Sequence, residues 1–371
     1  MDTLTNRDAR KILRIKNIQN ILDILLQRGE VARVELSKIT GLTKTAITSL
    51  TKDLIDKGII EEKPPVLNKT GIGRNVIPLK IRKDAAYIIG IGLERHHLKG
   101  VLIDAHGKIL YKKDGPIYKD IPPQEIINIL FRVIDNIIEN NSDKRVNAIG
   151  IGMPGPLDPL KGIVMNPPKF YGWRNIPLAD IVTNHYHIPT WIENDANCAA
   201  FAERWYGEGK GLNTFIYILL NEGVGSGVII NGNIYKSPIN FEGEIGHAVI
   251  RYKDRIDFLE NFSGFERIDD PVLFIKSGKI EQIGILIGEA IATISNFLGP
   301  EKVFIGGKMA VLGENILNPI AEEFNKYFIG KMIDIEIPIK ISKIYKDAIS
   351  VGAAAYAMRK YVIRKIVGDL K

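Results

Sequence analysis

Four side chains in the middle of the chain could together grip a polyol. Asn194 and Asp195 are adjacent, and Glu244 and His247 stand three apart further along. Neighbouring hydroxyls of a sugar each donate and accept. A site for them therefore needs carboxylates that accept, beside amide or imidazole groups that can play either part. Each pair also has an ordinary structural reading. Asp195 could be a carboxylate favoured by the dipole at a helix start, and Glu244 with His247 a surface turn pair. Taken one at a time the structural readings win, and only the ordered set favours the chemical one.

A second group near the N-terminus fits a different partner. Lys44, Thr45, Thr48, Ser49 and Lys52 share one face of a helical pattern whose other face is Ile47, Leu50 and Leu54. That polar face holds no carboxylate before Asp53. Small hydroxyls can approach base edges and phosphates without steric cost, and lysines meet phosphates. Lys69-Thr70-Gly71-Ile72-Gly73-Arg74 follows. Its glycines allow close backbone approach, and Arg74 suits a narrow minor groove. Charge agrees: residues 1–83 hold 17 Lys and Arg against 9 Asp and Glu, while the whole chain is only +7. A basic excess confined to the first quarter points to nucleic acid there, the alternative being a unit that only contacts protein.

The elements that must position these groups can be read from periodicity. Ile18, Ile21, Leu22, Leu25 and Leu26 make one apolar helix face, which Gly29 ends. A short helix spans 34–40, with Val34, Leu36 and Ile39 as its apolar positions, and Gly41 ends it. Thr43 is then a natural N-cap for the polar-faced helix. Strands over 58–63 and 75–81 with a loop between them complete a winged helix-turn-helix. From residue 84 the texture changes to alternating strand and helix patterns, which is an α/β architecture. Strands are expected at 87–93, 99–104, 148–153, 215–220, 228–230 and 303–305, and helices at 123–140, 284–297 and 347–361. The opening strand pattern recurs near Phe215, as in folds built from two related halves. The expected division is 1–83 for DNA binding and 84–371 for the larger domain.

Composition narrows the class. The chain has 371 residues, 45% hydrophobic and 25% charged, which excludes wholesale disorder. It contains no apolar run long enough to span a bilayer and no secretory h-region, so a cytoplasmic protein is expected. A single cysteine, Cys198, excludes intrachain disulfides and multi-cysteine zinc sites.

Over nearly its whole length the chain resembles the ROK family of repressors, open reading frames and sugar kinases. The resemblance rests on Gly41-Leu42-Thr43-Lys44-Thr45 and Gly73-Arg74, then on Gly150-Ile151-Gly152-Met153-Pro154-Gly155-Pro156, Glu193-Asn194-Asp195-Ala196-Asn197 and Gly243-Glu244-Ile245-Gly246-His247. It implies a two-lobed, actin-like or hexokinase-like domain with sugar bound in the cleft, behind a winged helix-turn-helix. The positions matching Asn194, Asp195, Glu244 and His247 grip sugar hydroxyls in the family, and the Asp is the kinase base. Glu260 matches a further sugar-binding Glu.

Two departures stand out. The family's first phosphate loop, Asp-x-Gly-Gly-Thr, is here Gly92-Leu93-Glu94-Arg95-His96. The second, Gly-Thr-Gly-x-Gly, follows Asn221 as Glu222-Gly223-Val224-Gly225-Ser226-Gly227. Side chains on the first loop block close approach, and carboxylates at 94 and 222 repel phosphate, so productive ATP binding is not expected. The family's Cys-x-Cys…Cys zinc cluster after the Gly-His pair is missing altogether, and His247 alone cannot hold a structural zinc. No metal and no cofactor are expected, and Asp195 is then a binder and not a catalyst.

The expected function is a sugar-responsive regulator, a repressor of carbohydrate-utilisation genes. Its expected partners are operator DNA, a sugar effector and a second copy of itself, as a homodimer or dimer of dimers. The rivals are a working sugar kinase with an appended DNA-binding domain, and a regulator controlled by a protein partner.

Overall fold

The computed structural model describes residues 6–66, 75–118, 121–168, 170–265, 268, 270–276 and 278–368. The glycine-rich stretch 69–74, with Arg74, lies outside them.

The N-terminal unit begins with α1 (Asn6–Arg28), β1 (Val31–Ala32) and α2 (Arg33–Thr40). Ile18, Ile21, Leu22 and Leu25 are buried on α1, as its periodicity requires. On α2 only Leu36 is buried, whereas Val34 and Ile39 face solvent. Its eight residues make just over two turns, which offer the core a single apolar anchor. Gly41 ends α2 at φ 71°, a conformation that glycine adopts without cost. α3 (Lys44–Asp56) follows, capped by the Thr43 hydroxyl, which accepts from the Ala46 amide at 3.2 Å. β2 (Ile60–Glu62) and β3 (Pro78–Ile81) pair antiparallel, and β1 joins β3 on its other side.

The larger unit opens with β4 (Tyr87–Leu93), β5 (His97–Ile103) and β6 (Ile109–Pro116), then α4 (Pro123–Glu139), β7 (Val146–Met153), the short β8 (Leu157–Asp158) and β9 (Ile163–Val164), α5 (Leu178–Tyr186) and β10 (Thr190–Asn194). These form a five-stranded sheet ordered β10-β7-β4-β5-β6. After α6 (Asp195–Tyr206) the plan repeats with β11 (Phe215–Leu220), β12 (Val224–Ile230) and β13 (Asn233–Ile234). The hairpin β14 (Val249–Tyr252) and β15 (Arg255–Phe258) leads into α7 (Leu259–Ser263), α8 (Pro271–Lys276) and α9 (Ile280–Leu298). β16 (Lys302–Gly306), α10 (Glu314–Tyr327), β17 (Ile339–Ile341) and α11 (Ala348–Val367) close the fold. The second sheet runs β13-β12-β11-β16-β17. In both sheets an antiparallel meander is extended by two parallel strands, so the two halves share one topology.

Helices α6 and α11 pack against each other between the sheets, α11 on β4 and β7 and α6 on β12. The contact is close because glycines replace side chains there. A Cβ on Gly90 would lie 2.0 Å from the Ser350 carbonyl oxygen, one on Gly150 1.9 Å from that of Ala353, and one on Gly352 1.7 Å from that of Cys198. The apolar core is continuous between the units: α1 side chains join Phe201 and Trp205 of α6 and Val351 and Met358 of α11 in one cluster. Among the described residues no helix is long and apolar enough to cross a membrane.

Candidate functional site

Asn194 ends β10 and caps α6, its Oδ1 accepting from the Ala196 and Asn197 amides at 3.0 and 3.2 Å. Asp195, the first residue of α6, accepts from the Ala196 amide at 2.8 Å. The helix-start reading of Asp195 is therefore correct as geometry. The carboxyl nonetheless lines the cleft, with Asn194, Glu244, His247 and Glu260 around the same cavity. That cavity, of about 180 Å³, also meets Glu94, Arg95, Phe170 and the loop 221–226.

Acidic groups crowd it. Burial raises the Asp195 carboxyl to about 6, aided by Glu244, against the backbone amide that favours the ionised form. Burial raises Glu94 to about 7, and Asp195 and Glu222 push the same way. Glu244 is raised by burial and partly offset by His247. His247 holds Glu244 through Nδ1 at 3.3 Å and faces Glu260 through Nε2 at 3.8 Å. This set offers acceptors, a donor–acceptor imidazole and carboxyls near their protonation points, which is what a ring of hydroxyls needs.

Support for the cleft comes from residues to which the sequence assigned no role. Lys236 meets Glu193 at 2.5 Å and Glu242 at 3.0 Å, and Asn197 donates to Glu193 at 3.1 Å. Glu193 is fully buried and also accepts from the Asn194 amide. It thereby fixes the strand-to-helix turn that presents Asn194 and Asp195. Glu193 stood in the sequence only as part of the motif around Asn194, and the burial that demands a partner appears in the structure. Lys236, distant in the chain, gave no signal.

The two phosphate-loop counterparts meet each other. Asn221 donates to Glu94 at 3.0 Å, and His96 lies 3.6 Å from Glu222. The surviving glycines of the second loop serve packing. A Cβ on Gly227 would stand 2.4 Å from the Ala196 carbonyl oxygen, and one on Gly225 would touch Ala196 at 3.3 Å. Both keep the loop close to the start of α6.

Among the described residues no group of three or more His, Cys, Asp or Glu is set to hold a metal ion. The loop around His247 leans on the β14–β15 hairpin, with the His247 ring 5.3 Å from that of Phe258. Asp257 is held by Asn261 and Arg255, which lower its carboxyl to about 2. His185 stacks on Phe131 at 4.1 Å, and His187 ends α5.

In the N-terminal unit Lys44, Thr45, Thr48, Ser49 and Lys52 are all exposed on α3. Thr48 donates to the Lys44 carbonyl at 2.8 Å, which leaves its oxygen free to accept. Asp53, the first carboxylate on that helix, is paired with Arg14 of α1.

Residues 88–262 match the model of the ROK family, and residues 16–61 match a winged helix-turn-helix DNA-binding model. The chain is 27% identical to a xylose repressor from Caldicellulosiruptor bescii, over 90% of this chain and 93% of that one. It is 26% identical to a glucokinase from Halalkalibacterium halodurans, over 72% of this chain and 93% of that one. A crystal structure of a ROK family transcriptional regulator, homologous to the E. coli MLC protein, superposes with a TM-score of 0.76 at 23% identity. That match covers 97% of this chain and all of the other.

Proposed function

The chain is a ROK-family protein with a winged helix-turn-helix in front, and from that premise we propose that it is a sugar-responsive repressor of carbohydrate-utilisation genes. Residues 1–83 bind operator DNA and 84–371 bind the effector. The observation that carries the reading is the convergence of Asn194, Asp195, Glu244, His247 and Glu260 on one cavity in a chain that also presents a basic, hydroxyl-rich α3 face. Free sugar closes the cleft, and the closed state holds the DNA-binding units at a spacing that misfits the operator. A homodimer or dimer of dimers in the cytoplasm suits this, since paired helix-turn-helix units read half-sites ~34 Å apart. Operator anisotropy across a sugar panel tests it. Xylose comes first, because a relative carries the name xylose repressor. Sugar-independent binding throughout would reject the reading.

On the DNA side, Lys44→Ala and Lys52→Ala should each weaken operator binding and lower the salt slope by about one. Arg74 lies outside the described residues; if it meets DNA as its sequence context implies, Arg74→Ala should do the same. Thr45→Ala and Thr48→Ala should instead change which operator bases are preferred. Slopes from salt titrations and a randomised-operator selection separate the two classes.

We infer that the protein does not transfer phosphate. Glu94, held by Asn221, and Glu222, facing His96, occupy the two loops where a kinase would receive phosphate. Desolvating a triphosphate beside them would be costly. The expected result of a coupled ATP assay over common aldoses and amino sugars is no turnover above background. Turnover abolished by Asp195→Asn would favour the kinase reading.

A further inference from the structure

Between α1 and the last turns of α11 lies a cavity of about 490 Å³, apart from the sugar cleft. Ile15 and Gln19 of α1 form one wall, Trp191 and Leu160 line the body side, and Arg359, Lys360 and Arg364 come from α11. Among the described residues no carboxylate lines it. The volume falls within the roughly 300–1,000 Å³ of ordinary small-molecule sites.

The three cations are not equivalent. Arg359 is structural: it donates to Asn233 at 2.7 Å, stacks on Phe201 and is attracted by the buried Asp23 of α1. Arg364 is exposed at the mouth. Lys360 is the unusual one. It is partly buried, yet among the described residues its ammonium makes no hydrogen bond and no ion pair; it lies over the Tyr356 ring, 5.2 Å from its centre. Burial lowers its pKa, and Arg359 and Lys236 repel its charge, against an attraction from Glu193. Burying a charged ammonium without a counter-charge is unfavourable, and a bound anion would remove that penalty.

We propose that this cavity is a second effector site, taking a small phosphorylated metabolite whose phosphate sits against Lys360 and Arg364. The apolar walls and Gln19 would take the rest of the molecule. The site is independent of the sugar cleft, whose ring of carboxylates repels phosphate. Its position matters because α1 belongs to the DNA-binding unit and α11 to the sugar-binding unit, so a ligand held by Gln19 and Lys360 ties the two together.

Calorimetry with glucose 6-phosphate on the full chain tests this. Binding is expected in the parent, in Lys360→Arg and in Asp195→Ala, and at least about tenfold weaker in Lys360→Ala. Lys360→Ala should keep its sugar response, which shows that it folds. Inorganic phosphate binding equally well, and equally dependent on Lys360 at physiological salt, would support the site and identify free phosphate as its occupant. Unchanged binding in Lys360→Ala, loss in Asp195→Ala, or an affinity that vanishes at physiological salt would each overturn the proposal.

Discussion

Asp195→Ala is expected to abolish release of operator by sugar while leaving sugar-free DNA binding within about twofold of the parent. A ligand shifts an equilibrium only by its differential affinity for the two states, and the proposed cleft contacts supply that difference. Anisotropy with and without sugar reads both quantities. Release at an unchanged sugar concentration would remove the cleft as sensor and favour control by a protein partner. The response should also depend on pH. Asp195 accepts best when ionised, above about 6, while Glu94 can donate to a hydroxyl only when protonated, below about 7. Sugar release should therefore be strongest between those values. Glu94→Gln, with its permanent donor, should lose the alkaline fall.

Stability gives a separate check on the same carboxyl. Its pKa is raised on folding, so the folded protein keeps a proton that the unfolded chain, with Asp near 3.9, has released. That contribution is full below about 4 and is lost as pH rises through about 6. Asp195→Asn does not titrate. Its melting temperature should therefore gain on the parent's as pH rises from about 4 to 7.

Gly352→Ala should be the most damaging single methyl in the protein. The added Cβ would stand 1.7 Å from the Cys198 carbonyl oxygen, in the middle of the α6–α11 contact. Both partners are main chain, so no rotamer change relieves the overlap. Overpacking ordinarily costs about 1–3 kcal/mol, and a backbone clash belongs at or above the upper end. A fall in denaturant midpoint of that size, or loss of soluble protein, is expected. Gly211→Ala is the control: it has open space around it and carries only the strain of φ 84°. Equal stability of Gly352→Ala and the parent would show that the two helices can separate freely.

The parts legible in the sequence were those whose signal is local. β4 occupies the expected 87–93, and α3 shows its capped, two-faced pattern directly. The α6 helix was not legible as an element. It is buried along nearly its whole length, so its sequence, Asp195-Ala-Asn-Cys-Ala-Ala-Phe-Ala, lacks a polar stripe. Asn194 and Asp195 were found only through their motif. Glu94 was read as an obstacle to phosphate, and its place on the wall of the cavity beside Asp195 became visible only once the hairpin of one lobe met the loop of the other. Contacts of that kind join residues far apart in the chain and leave no periodic trace.

The docking of α1 has a mechanical consequence. The Asp23 carboxyl is attracted by the charges of Arg359 and Arg204, and Gln27, with its amide oxygen turned inward, accepts from both Arg204 terminal nitrogens at 2.8 Å. Arg204 belongs to α6, the helix whose other end bears Asp195. A DNA-reading head on a slack tether would absorb a small lobe rotation as bending of the tether. Here the head is held against α6, so under the proposed closure α6 would act as a lever arm. A rotation of roughly 5° would carry a recognition helix about 3 Å over the ~34 Å between half-sites. That is a large fraction of the clearance of a helix seated in a groove, so the proposed closure would need to be only modest to unseat it.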